Sequence, residues 1–312
     1  MKKTLLILLF ASIMIVFTTS CGDSGSAQNN ISSADQKEIE ANNAEEEEVD
    51  NVVQREESNE KLTFLGKNDK GYKEYLNKKD GTTLILIPSG EFTMGGSSTD
   101  NEKPEHAVYL EDYYISKYEI TNAQYKRFCD ETGKTYPEDP EFQGENNYFI
   151  DYSNYPVTMI SWMDAVEYCR WAGLRLPSEA EWEKASKGIY SRSFPWGEKD
   201  PRMKDEFYAN VGCHDKDGYL YTSPVGTFQI GESPYGVRDM IGNVYEWCSD
   251  WYNPQYYASG ESQNPMGPAT GTDKVCRGGS WYSNEMYSLT CSSRGSLNPE
   301  RKSNTSGFRP AM

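Results

Sequence analysis

The chain is 312 residues long and acidic, with 48 Asp and Glu against 31 Lys and Arg and a formal net charge of −17. Because it has no basic cluster, it lacks the positive surface that nucleic-acid binding requires, and we expect no nucleic acid among its partners. Its two histidines, His106 and His214, exclude a His-rich metal site and disfavour a Ser-His-Asp catalytic triad.

The N-terminus predicts an export signal. Lysines at positions 2 and 3 precede an apolar run that reaches Phe17, and Thr18-Thr19-Ser20 leads directly to Cys21. A basic start, a short apolar run and small residues before a cleavage point are typical of a secretory signal, and the run is too short to span a membrane. A cysteine in this place resembles a bacterial lipoprotein signal, so residues 1–20 are predicted to be removed and Cys21 to be lipidated. The alternative is an ordinary cleaved signal with Cys21 unmodified.

Residues 21–61 are predicted to form a disordered tether between this anchor and a folded domain at 62–312. Eleven acidic and two basic residues lie between Asp35 and Glu60, with little apolar surface to bury. Charge repulsion and poor burial keep such a segment extended. The tether would hold the domain away from the membrane, which predicts a cell-envelope protein on the outer membrane or the cell surface.

The first part of the predicted domain has the pattern of β-structure. Residues 72–81 are charged and are predicted to be a loop, whereas 82–88 form a β-branched and leucine-rich run that predicts a buried strand. Apolar residues alternate with polar ones in 90–96 and again in 108–118, which indicates further extended segments.

Three helices are predicted next from one recurring signal. Each has a Ser or Thr cap, a side chain three residues later that can bond back, and a glycine at its end. They run from Thr121 to Gly133, from Ser161 to Gly173 and from Ser178 to Gly188. From Ser193 onward, Gly, Pro, Asn, Asp and aromatic residues dominate, which predicts long ordered loops with a few short strands, supported by metal or by dense aromatic packing.

Many short motifs follow one another in a fixed order between residues 84 and 309. They include Leu86–Gly95, Tyr118–Tyr125, Arg175–Glu183, Gly242–Trp247, Arg277–Trp281 and Gly307–Arg309. Together they resemble the formylglycine-generating enzyme (sulfatase-modifying factor) superfamily. The resemblance implies an α+β protein with the irregular, loop-rich fold called C-type-lectin-like.

The same resemblance implies two structural calcium sites. One maps onto Asp239, Gly242, Val244 and Glu246, and the other onto Asn210, Val211, Asp217 and Tyr219. Carboxylate, amide and backbone oxygens are the ligands that Ca²⁺ prefers, and the ion would hold loops that lack regular hydrogen bonding. The alternative is that these polar residues only cap turns.

Aerobic members of the superfamily oxidise a substrate cysteine with two active-site cysteines that bind copper as thiolates. The resemblance places that pair three and eight positions after the Ser of Gly-Gly-Ser, which in this chain gives Ser283 and Ser288. Because Cu(I) needs soft sulfur ligands, we expect no copper and no formylglycine generation by the known route. A serine nucleophile would need a general base, and neither histidine is near these serines in sequence, so we predict no catalytic residue.

The cysteines allow two interpretations. The resemblance implies disulfides whose partner positions are Ser186 and Pro310 in this chain, which leaves Cys291 and Cys169 without partners. We expect Cys169 to be a buried free thiol on the apolar side of its helix. A Cys276–Cys291 bridge across neighbouring strands is the alternative for the other two.

The segment after the Gly-Gly turn is rich in aromatic and small polar residues. Tyr and Trp make large, rigid contacts while keeping a polar tip, which suits recognition. We predict a groove for an unidentified protein or small ligand, formed by Trp281, Tyr282, Ser283, Asn284, Tyr287, Ser288, Ser292, Ser293, Arg294, Asn298 and Asn304. Glu285 either contacts this ligand or faces solvent.

The predicted function is a lipid-anchored, extracytoplasmic binding protein on this scaffold. A specific form is a hypervariable receptor of a diversity-generating retroelement, because some lipoproteins of this fold vary around and after the Gly-Gly-Ser-Trp turn. The candidate variable positions are Tyr282, Ser283, Asn284, Ser292, Ser293, Arg294, Leu297, Asn298, Ser303 and Asn304. The alternatives are a superfamily enzyme with different chemistry and a structural component of a cell-envelope machine.

Overall fold

The computed structural model describes residues 60–201, 206–212 and 215–312. The predicted signal, Cys21 and nearly all of the predicted tether lie outside the described residues, as do Cys213 and His214. None of the helices in the described ranges combines the length and apolar composition that a membrane crossing needs.

The first half of the domain begins with six strands: β1 (Leu62–Lys67), β2 (Lys73–Asn77), β3 (Thr83–Ile87), β4 (Gly90–Met94), β5 (His106–Leu110) and β6 (Tyr113–Ser116). Strands β1, β2, β3 and β6 form an antiparallel sheet in that order, and β4 pairs with β5. The C-terminus returns to this sheet, because Tyr114 and Met312 exchange two backbone hydrogen bonds of 2.9 and 3.1 Å.

The prediction of a loop over residues 72–81 is wrong, because β2 occupies its first half. Tyr75 and Asn77 are buried, while the charged residues before them remain partly exposed. Buried and partly exposed residues therefore alternate in β2, as in a half-buried strand, but the lysines around it give the segment the polar composition of a loop. The strand predicted over 82–88 is confirmed as β3, and the alternation in 108–118 belongs to two strands joined at the exposed Glu111 and Asp112.

Four α-helices follow: α1 (Asn122–Thr132), α2 (Tyr148–Asp151), α3 (Trp162–Ala172) and α4 (Glu179–Lys187). The three predicted helices are confirmed, and each begins with a complete capping box in which the hydroxyl and the residue three positions later satisfy each other's backbone N–H. Gly133 and Gly173 end their helices in the left-handed conformation. The single turn α2 was not predicted.

Beyond Ser193 the described chain is mostly loop, as predicted. A second sheet has the order β10-β7-β8-β9, where β7 is Tyr245–Trp251, β8 is Lys274–Arg277, β9 is Gly295–Leu297 and β10 is Ser306–Gly307. Strand β10 runs parallel to β7, and the other pairs are antiparallel. Single 3₁₀ turns lie at Asp100–Glu102, Asp215–Asp217, Gln229–Gly231, Tyr256–Ser259 and Met286–Ser288.

Aromatic packing supports the loops. Tyr125 of α1 stacks on Tyr168 of α3 with ring centroids 5.7 Å apart, and Phe308 near the C-terminus packs against both rings. Cys169 is a buried free thiol, as predicted. Cys276 and Cys291 are also free, so the alternative disulfide between them is not formed.

Buried ion pairs join the C-terminal loops to α4. Arg277, at the end of β8, is fully buried, forms an ion pair with Glu183 of α4, and donates to the backbone oxygens of Ser292 and Cys291 at 2.9 Å. Arg294, the residue before β9, is 7% exposed, and its Nε lies 2.7 Å from Oε1 of Glu179 at the start of α4. The backbone around the Gly-Gly turn is therefore held by charges that water does not reach.

Candidate ligand-binding groove

A groove of about 480 Å³ opens beside the Gly278-Gly279 turn. Six of the predicted residues line it: Ser283, Asn284, Tyr287, Ser288, Ser293 and Arg294. The segment 283–288 after the turn thus forms one wall, and Ser293 and Arg294, just before β9, form part of another.

The turn itself is a fixed structural element. Gly278 and Gly279 have φ angles of 91° and 76°, in the left-handed region that side chains disfavour. A β-carbon at Gly279 would lie 2.8 Å from Leu289 Cδ2, and one at Gly278 would lie 2.9 Å from the Met240 carbonyl oxygen. Both glycines are therefore required by close packing, and the turn fixes where the segment 283–288 emerges.

Ser283 and Ser288, the positions that the resemblance assigns to copper ligands, line the same groove. The Ser280 N–H donates to Ser283 Oγ at 3.1 Å, and Ser288 Oγ donates to the Glu285 carbonyl at 2.7 Å. No histidine or cysteine is among the described residues that line the groove. These hydroxyls thus have backbone partners, and no histidine lies among the described lining residues to activate them as nucleophiles.

The two nearest thiols in sequence are not available for metal chemistry. Cys276 and Cys291 are buried at 2% and 0% exposure, and burial raises the pKa of each thiol to about 12. Ser186 Oγ donates to Cys291 Sγ at 3.1 Å. Since the thiolate is the form that binds metal, the raised pKa and the burial both disfavour metal binding by these side chains.

Three predicted groove residues are buried, and two of them, Trp281 and Ser292, do not line the groove. Trp281 is 5% exposed, and its Nε1 donates to the Asn304 carbonyl at 3.1 Å. Ser292 Oγ donates to the Gly95 carbonyl at 2.8 Å. Arg294 lines the groove, but its guanidinium is held by Glu179 and by the carbonyl of Asn101. We expect these side chains to shape the groove rather than to offer free hydrogen bonds.

Three further predicted residues, Tyr282, Asn298 and Asn304, do not line the groove. Tyr282 is 60% exposed and packs edge-on against Trp281, with ring centroids 5.4 Å apart. Asn298 and Asn304 are not among the lining residues; Asn298 Oδ1 accepts from Glu300 N–H, and Asn304 Nδ2 donates to the Pro140 carbonyl.

Sequence reasoning missed four lining residues. Thr99 and Asn101 come from the loop after β4, Tyr245 begins β7 and Gly295 begins β9. Asn101 Nδ2 donates to the Arg294 carbonyl at 3.2 Å, a contact across most of the domain. Tyr245 carried a weak signal, because it is a half-buried tyrosine within a motif of buried neighbours. Nothing in the local sequence of Thr99 or Asn101 indicates the groove.

The electrostatics of the groove are simple. Among the described lining residues, only Arg294 and Glu285 carry charge, and the charge of Arg294 is offset by buried Glu179. Glu285 is exposed and lines the groove, so it is placed to contact a ligand.

The residues of the predicted calcium site at Asp239 and Glu246 lie in a buried carboxylate cluster with Glu119. Burial, together with the nearby charges of Asp239 and Glu246, raises the pKa of Glu119 well above its usual range. Arg309 supplies the counter-charge, since its Nε and Nη2 donate to the two oxygens of Glu246 at 2.6 Å. Trp182 Nε1 donates to Glu246 Oε2 at 2.7 Å.

The side chains of Glu246 and Asp239 can supply few free oxygens to a calcium ion, because most of their oxygens already accept hydrogen bonds. Glu246 Oε1 keeps one lone pair after binding Arg309, and Asp239 uses Oδ2 to accept from Gly226 N–H. Among the described residues, no group of three acidic, His or Cys side chains is arranged as metal ligands. The ion would therefore depend on backbone oxygens of Gly242 and Val244, a donor type that Ca²⁺ accepts.

The second predicted calcium set begins next to the first. Asn210 is 2% exposed, and its Nδ2 donates to the Tyr221 carbonyl at 2.8 Å, which leaves the amide oxygen as the hard ligand. The Asn210 carbonyl accepts from Asn243 N–H at 2.9 Å. Asp217 Oδ1 accepts from Tyr219 N–H at 3.0 Å, in a turn that follows the undescribed residues 213–214.

Residues 72–312 match the family described as sulfatase-modifying factor enzyme 1-like domain. The chain is also 33% identical, over an alignment of 284 residues, to the formylglycine-generating enzyme of Mus musculus, covering 74% of this chain and 75% of the mouse protein. The chain therefore belongs to the sulfatase-modifying factor family.

Two solved structures are similar throughout the domain. PvdO from Pseudomonas aeruginosa has a TM-score of 0.65 and 25% identity, covering 76% of this chain and 97% of PvdO. Treponema denticola variable protein 1 has a TM-score of 0.61 and 24% identity, covering 77% of this chain and 98% of that protein. The predicted α+β, C-type-lectin-like fold is confirmed.

Proposed function

We propose that this protein is a lipid-anchored, extracytoplasmic ligand-binding protein that uses the groove beside the Gly-Gly turn, and that it is not a copper-dependent oxidase. The observation that carries the proposal is the presence of Ser283 and Ser288 in one groove, at the positions where the resemblance requires thiolates. Hydroxyls do not replace soft sulfur ligands for Cu(I).

The chemistry around the groove supports binding rather than catalysis. Burial raises the pKa of the nearby thiols of Cys276 and Cys291, and no histidine is among the described residues that line the groove with Ser283 and Ser288. Tyr245 and Tyr287 offer aromatic faces with polar tips, and Asn284 adds an amide that can donate and accept. Such a lining suits a polar ligand that has both a flat face and hydrogen-bonding groups.

The test is an assay with a sulfatase peptide containing Cys-X-Pro-X-Arg, copper and oxygen. We expect no formylglycine from the wild-type protein, and any enzyme-dependent formylglycine would refute the proposal. The matched control is the double variant Ser283→Cys/Ser288→Cys, which we expect to bind Cu(I) where the wild-type protein does not. Equal Cu(I) binding by both proteins would show that the metal uses other ligands.

The hypervariable-receptor form of the proposal depends on which positions tolerate change. Tyr282, Asn284 and Asn298 are exposed, and Ser293 is partly exposed, so variation there would leave the packing intact. Ser292 and Arg294 are buried and bonded within the protein, which makes them poor variable positions. A neighbouring reverse-transcriptase gene and a near-repeat of the codons for residues 280–309 would support this form, and their absence would reject it.

The lipid anchor is part of the proposal and has its own test. Metabolic labelling with an alkyne fatty acid is expected to tag the wild-type protein in the cell envelope. The Cys21→Ala variant is expected to lose the tag and the membrane association. A tag that persists in this variant would contradict lipidation at Cys21.

We also propose that Ca²⁺ binds at the two oxygen-rich sets around Asp239 and Asn210 and stabilises the loops there. The support is the chemistry of the donors, which are carboxylate, amide and backbone oxygens close to the buried carboxyl groups of Glu119, Asp239 and Glu246. The ion would hold the loop that leads into β7, on which Tyr245 of the groove lies.

A further inference from the structure

A second cavity of about 210 Å³ is lined in part by Thr290 and Ser292, which lie in the chain between the groove residues Ser288 and Ser293. Its lining combines Ser97, Ser98 and Glu102 from the loop after β4 with Arg192 and Glu198 from the loop after α4. It is smaller than the groove and strongly polar. Neither the calcium sets nor the groove uses it.

Glu102 is a buried carboxylate with too few partners. The residue is 1% exposed, and its Oε1 accepts only from Thr99 Oγ1, at 2.8 Å. That hydroxyl has a single hydrogen and also lies 2.5 Å from Asn101 Oδ1, which competes for it. Glu102 Oε2 has no hydrogen-bond partner in the described part of the chain. Burying a carboxylate in this state is costly unless a positive group compensates for it.

The cations beside the cavity bond to groups other than Glu102. Arg192 Nη1 donates to the Pro195 carbonyl at 3.2 Å, and Glu198 accepts from the N–H and the hydroxyl of Ser193 at 2.9 and 2.6 Å. Lys187 forms an ion pair with Glu183 at 2.8 Å and donates to the Gly95 carbonyl. Within the described residues, no Lys, Arg or His forms an ion pair with Glu102.

Two other buried polar atoms without a partner line the same cavity. They are Thr290 Oγ1 and Arg192 Nε. The carboxylate of Glu105, which is exposed, also faces this space and adds a second uncompensated negative charge. The unpartnered carboxylate oxygen of Glu102 and the Thr290 hydroxyl can both accept, whereas Arg192 Nε is a donor. Three carboxylates against one guanidinium still leave the lining with excess negative charge, which indicates a positively charged, hydrogen-donating occupant.

The arrangement favours an organic cation over a metal ion. The acidic side chains of the described residues are not grouped as metal ligands, here or elsewhere. A primary ammonium has three donors and no acceptor, which matches a lining of carboxylate and hydroxyl oxygens. We propose that this cavity is a binding site for the ammonium group of a primary amine, with Glu102 as its main counter-charge. The proposal is independent of what occupies the groove.

Calorimetric titration of the full-length chain with propylammonium chloride tests the site, with 1-propanol as the neutral probe of similar size. We expect saturable binding of propylammonium and none of 1-propanol. The isosteric Glu102→Gln variant keeps the shape but removes the charge, so its affinity should fall about tenfold or more. Glu91→Gln, at an exposed acid on β4 outside the cavity, is the matched control and should bind as the wild type does.

A thermal melt of Glu102→Gln checks that the variant folds, and Glu105→Gln provides a second reading at an exposed position, where we expect a smaller loss of affinity. Absence of saturable propylammonium binding would overturn the proposal, because the cavity would then hold only water. Equal affinity of Glu102→Gln and wild type would also overturn it. So would Glu102-dependent binding of Ca²⁺ alone that displaces propylammonium, since this would define a metal site.

Discussion

Ser186 and Cys291 meet inside the core at a place where the resemblance implies a disulfide. The Ser186 hydroxyl donates to Cys291 Sγ at 3.1 Å, and both residues are fully buried. Cys291 is thus present at one position of the implied disulfide, and the hydroxyl of Ser186 occupies the other. The contact preserves the close approach of α4 and the loop before β9 without a covalent link.

The first prediction is that Ser186→Cys forms a disulfide with Cys291 under oxidising conditions. Closing a loop of this length restricts the unfolded chain, so the free energy of unfolding should rise by about 2–4 kcal/mol. Mass spectrometry of thiol-blocked protein would detect the bond, and denaturant unfolding with and without reductant would measure its effect. Ser186→Ala is the control, and a stabilisation of Ser186→Cys that survives reductant would contradict the assignment.

Asp250, at 3% exposure in β7, is a carboxyl group whose pKa is raised by its surroundings. Burial, with a further contribution from the charge of Glu179, raises its pKa to about 7. Its Oδ2 accepts from the Glu179 N–H at 2.9 Å. The folded protein therefore keeps a proton that the unfolded chain releases above about pH 4, so this group makes stability fall as pH rises from about 4 to about 7.

The second prediction is that Asp250→Asn flattens this part of the pH dependence. The variant should gain stability relative to wild type as pH rises, with a slope of at most about 1.4 kcal/mol per pH unit, and the difference should level off above about pH 7. Denaturant unfolding of both proteins at several pH values gives the comparison. Parallel curves across this range would show that Asp250 titrates normally.

Some groove residues could be predicted from the neighbouring sequence, and others reach the groove only through tertiary packing. Ser283, Asn284, Tyr287 and Ser288 could be predicted because they follow a recognisable turn and remain close to it in space. Asn101 could not, since it reaches the groove only through tertiary packing against Arg294. The burial of Arg294 was also invisible, because an arginine beside serines has the sequence pattern of a surface residue.

At the level of elements, α4 is the support of the groove. Its capping box at Ser178 starts the helix, and Glu183 in its middle accepts from Gly95 N–H at 2.7 Å, from Lys187 at 2.8 Å and from Arg277. Arg277 in turn binds the carbonyls that precede β9. One carboxylate thus connects the helix, β4 and the loop beside the groove.

The third prediction is that Glu183→Ala lowers the free energy of unfolding by about 3–5 kcal/mol, because it leaves Arg277 and Lys187 buried without their main counter-charge. Glu167→Ala on α3, where Glu167 is exposed and binds Lys134, is the matched control and should cost no more than about 1 kcal/mol. Urea unfolding would measure both. Similar losses in the two variants would mean that the buried network contributes little.

Helices were predictable at this scale because capping is a local code. The boxes at Thr121, Ser161 and Ser178 place the start of each helix within a residue. Strand β2 was missed because its alternation covers only five residues among lysines, and its stability comes from pairing with β1 and β3 and from burial of Tyr75. Propensity is a weaker guide to strands than the neighbours with which they pair.

At the level of the whole molecule, the long loops after Ser193 have little regular secondary structure, so bound calcium or aromatic packing must stabilise them. The fourth prediction is that removal of Ca²⁺ by excess chelator lowers the melting temperature by roughly 5–10 °C, and that Ca²⁺ but not Mg²⁺ restores it. Asp239→Asn should reduce this response. An unchanged melting temperature in chelator would reject the calcium sites and leave aromatic packing as the support of these loops.

The pairing of residues 310–312 with the first sheet also affects when that sheet can be completed during synthesis of the chain. Strand β6 obtains its outer partner from residues 310–312, through hydrogen bonds of Ser116 and Tyr114 to Pro310 and Met312. A ribosome supplies those residues only after almost the entire domain has been made. Until then the edge of the sheet at β6 stays unpaired, and an unpaired edge is a place where one chain can join another. Loss of even the last three residues would therefore favour aggregation during synthesis.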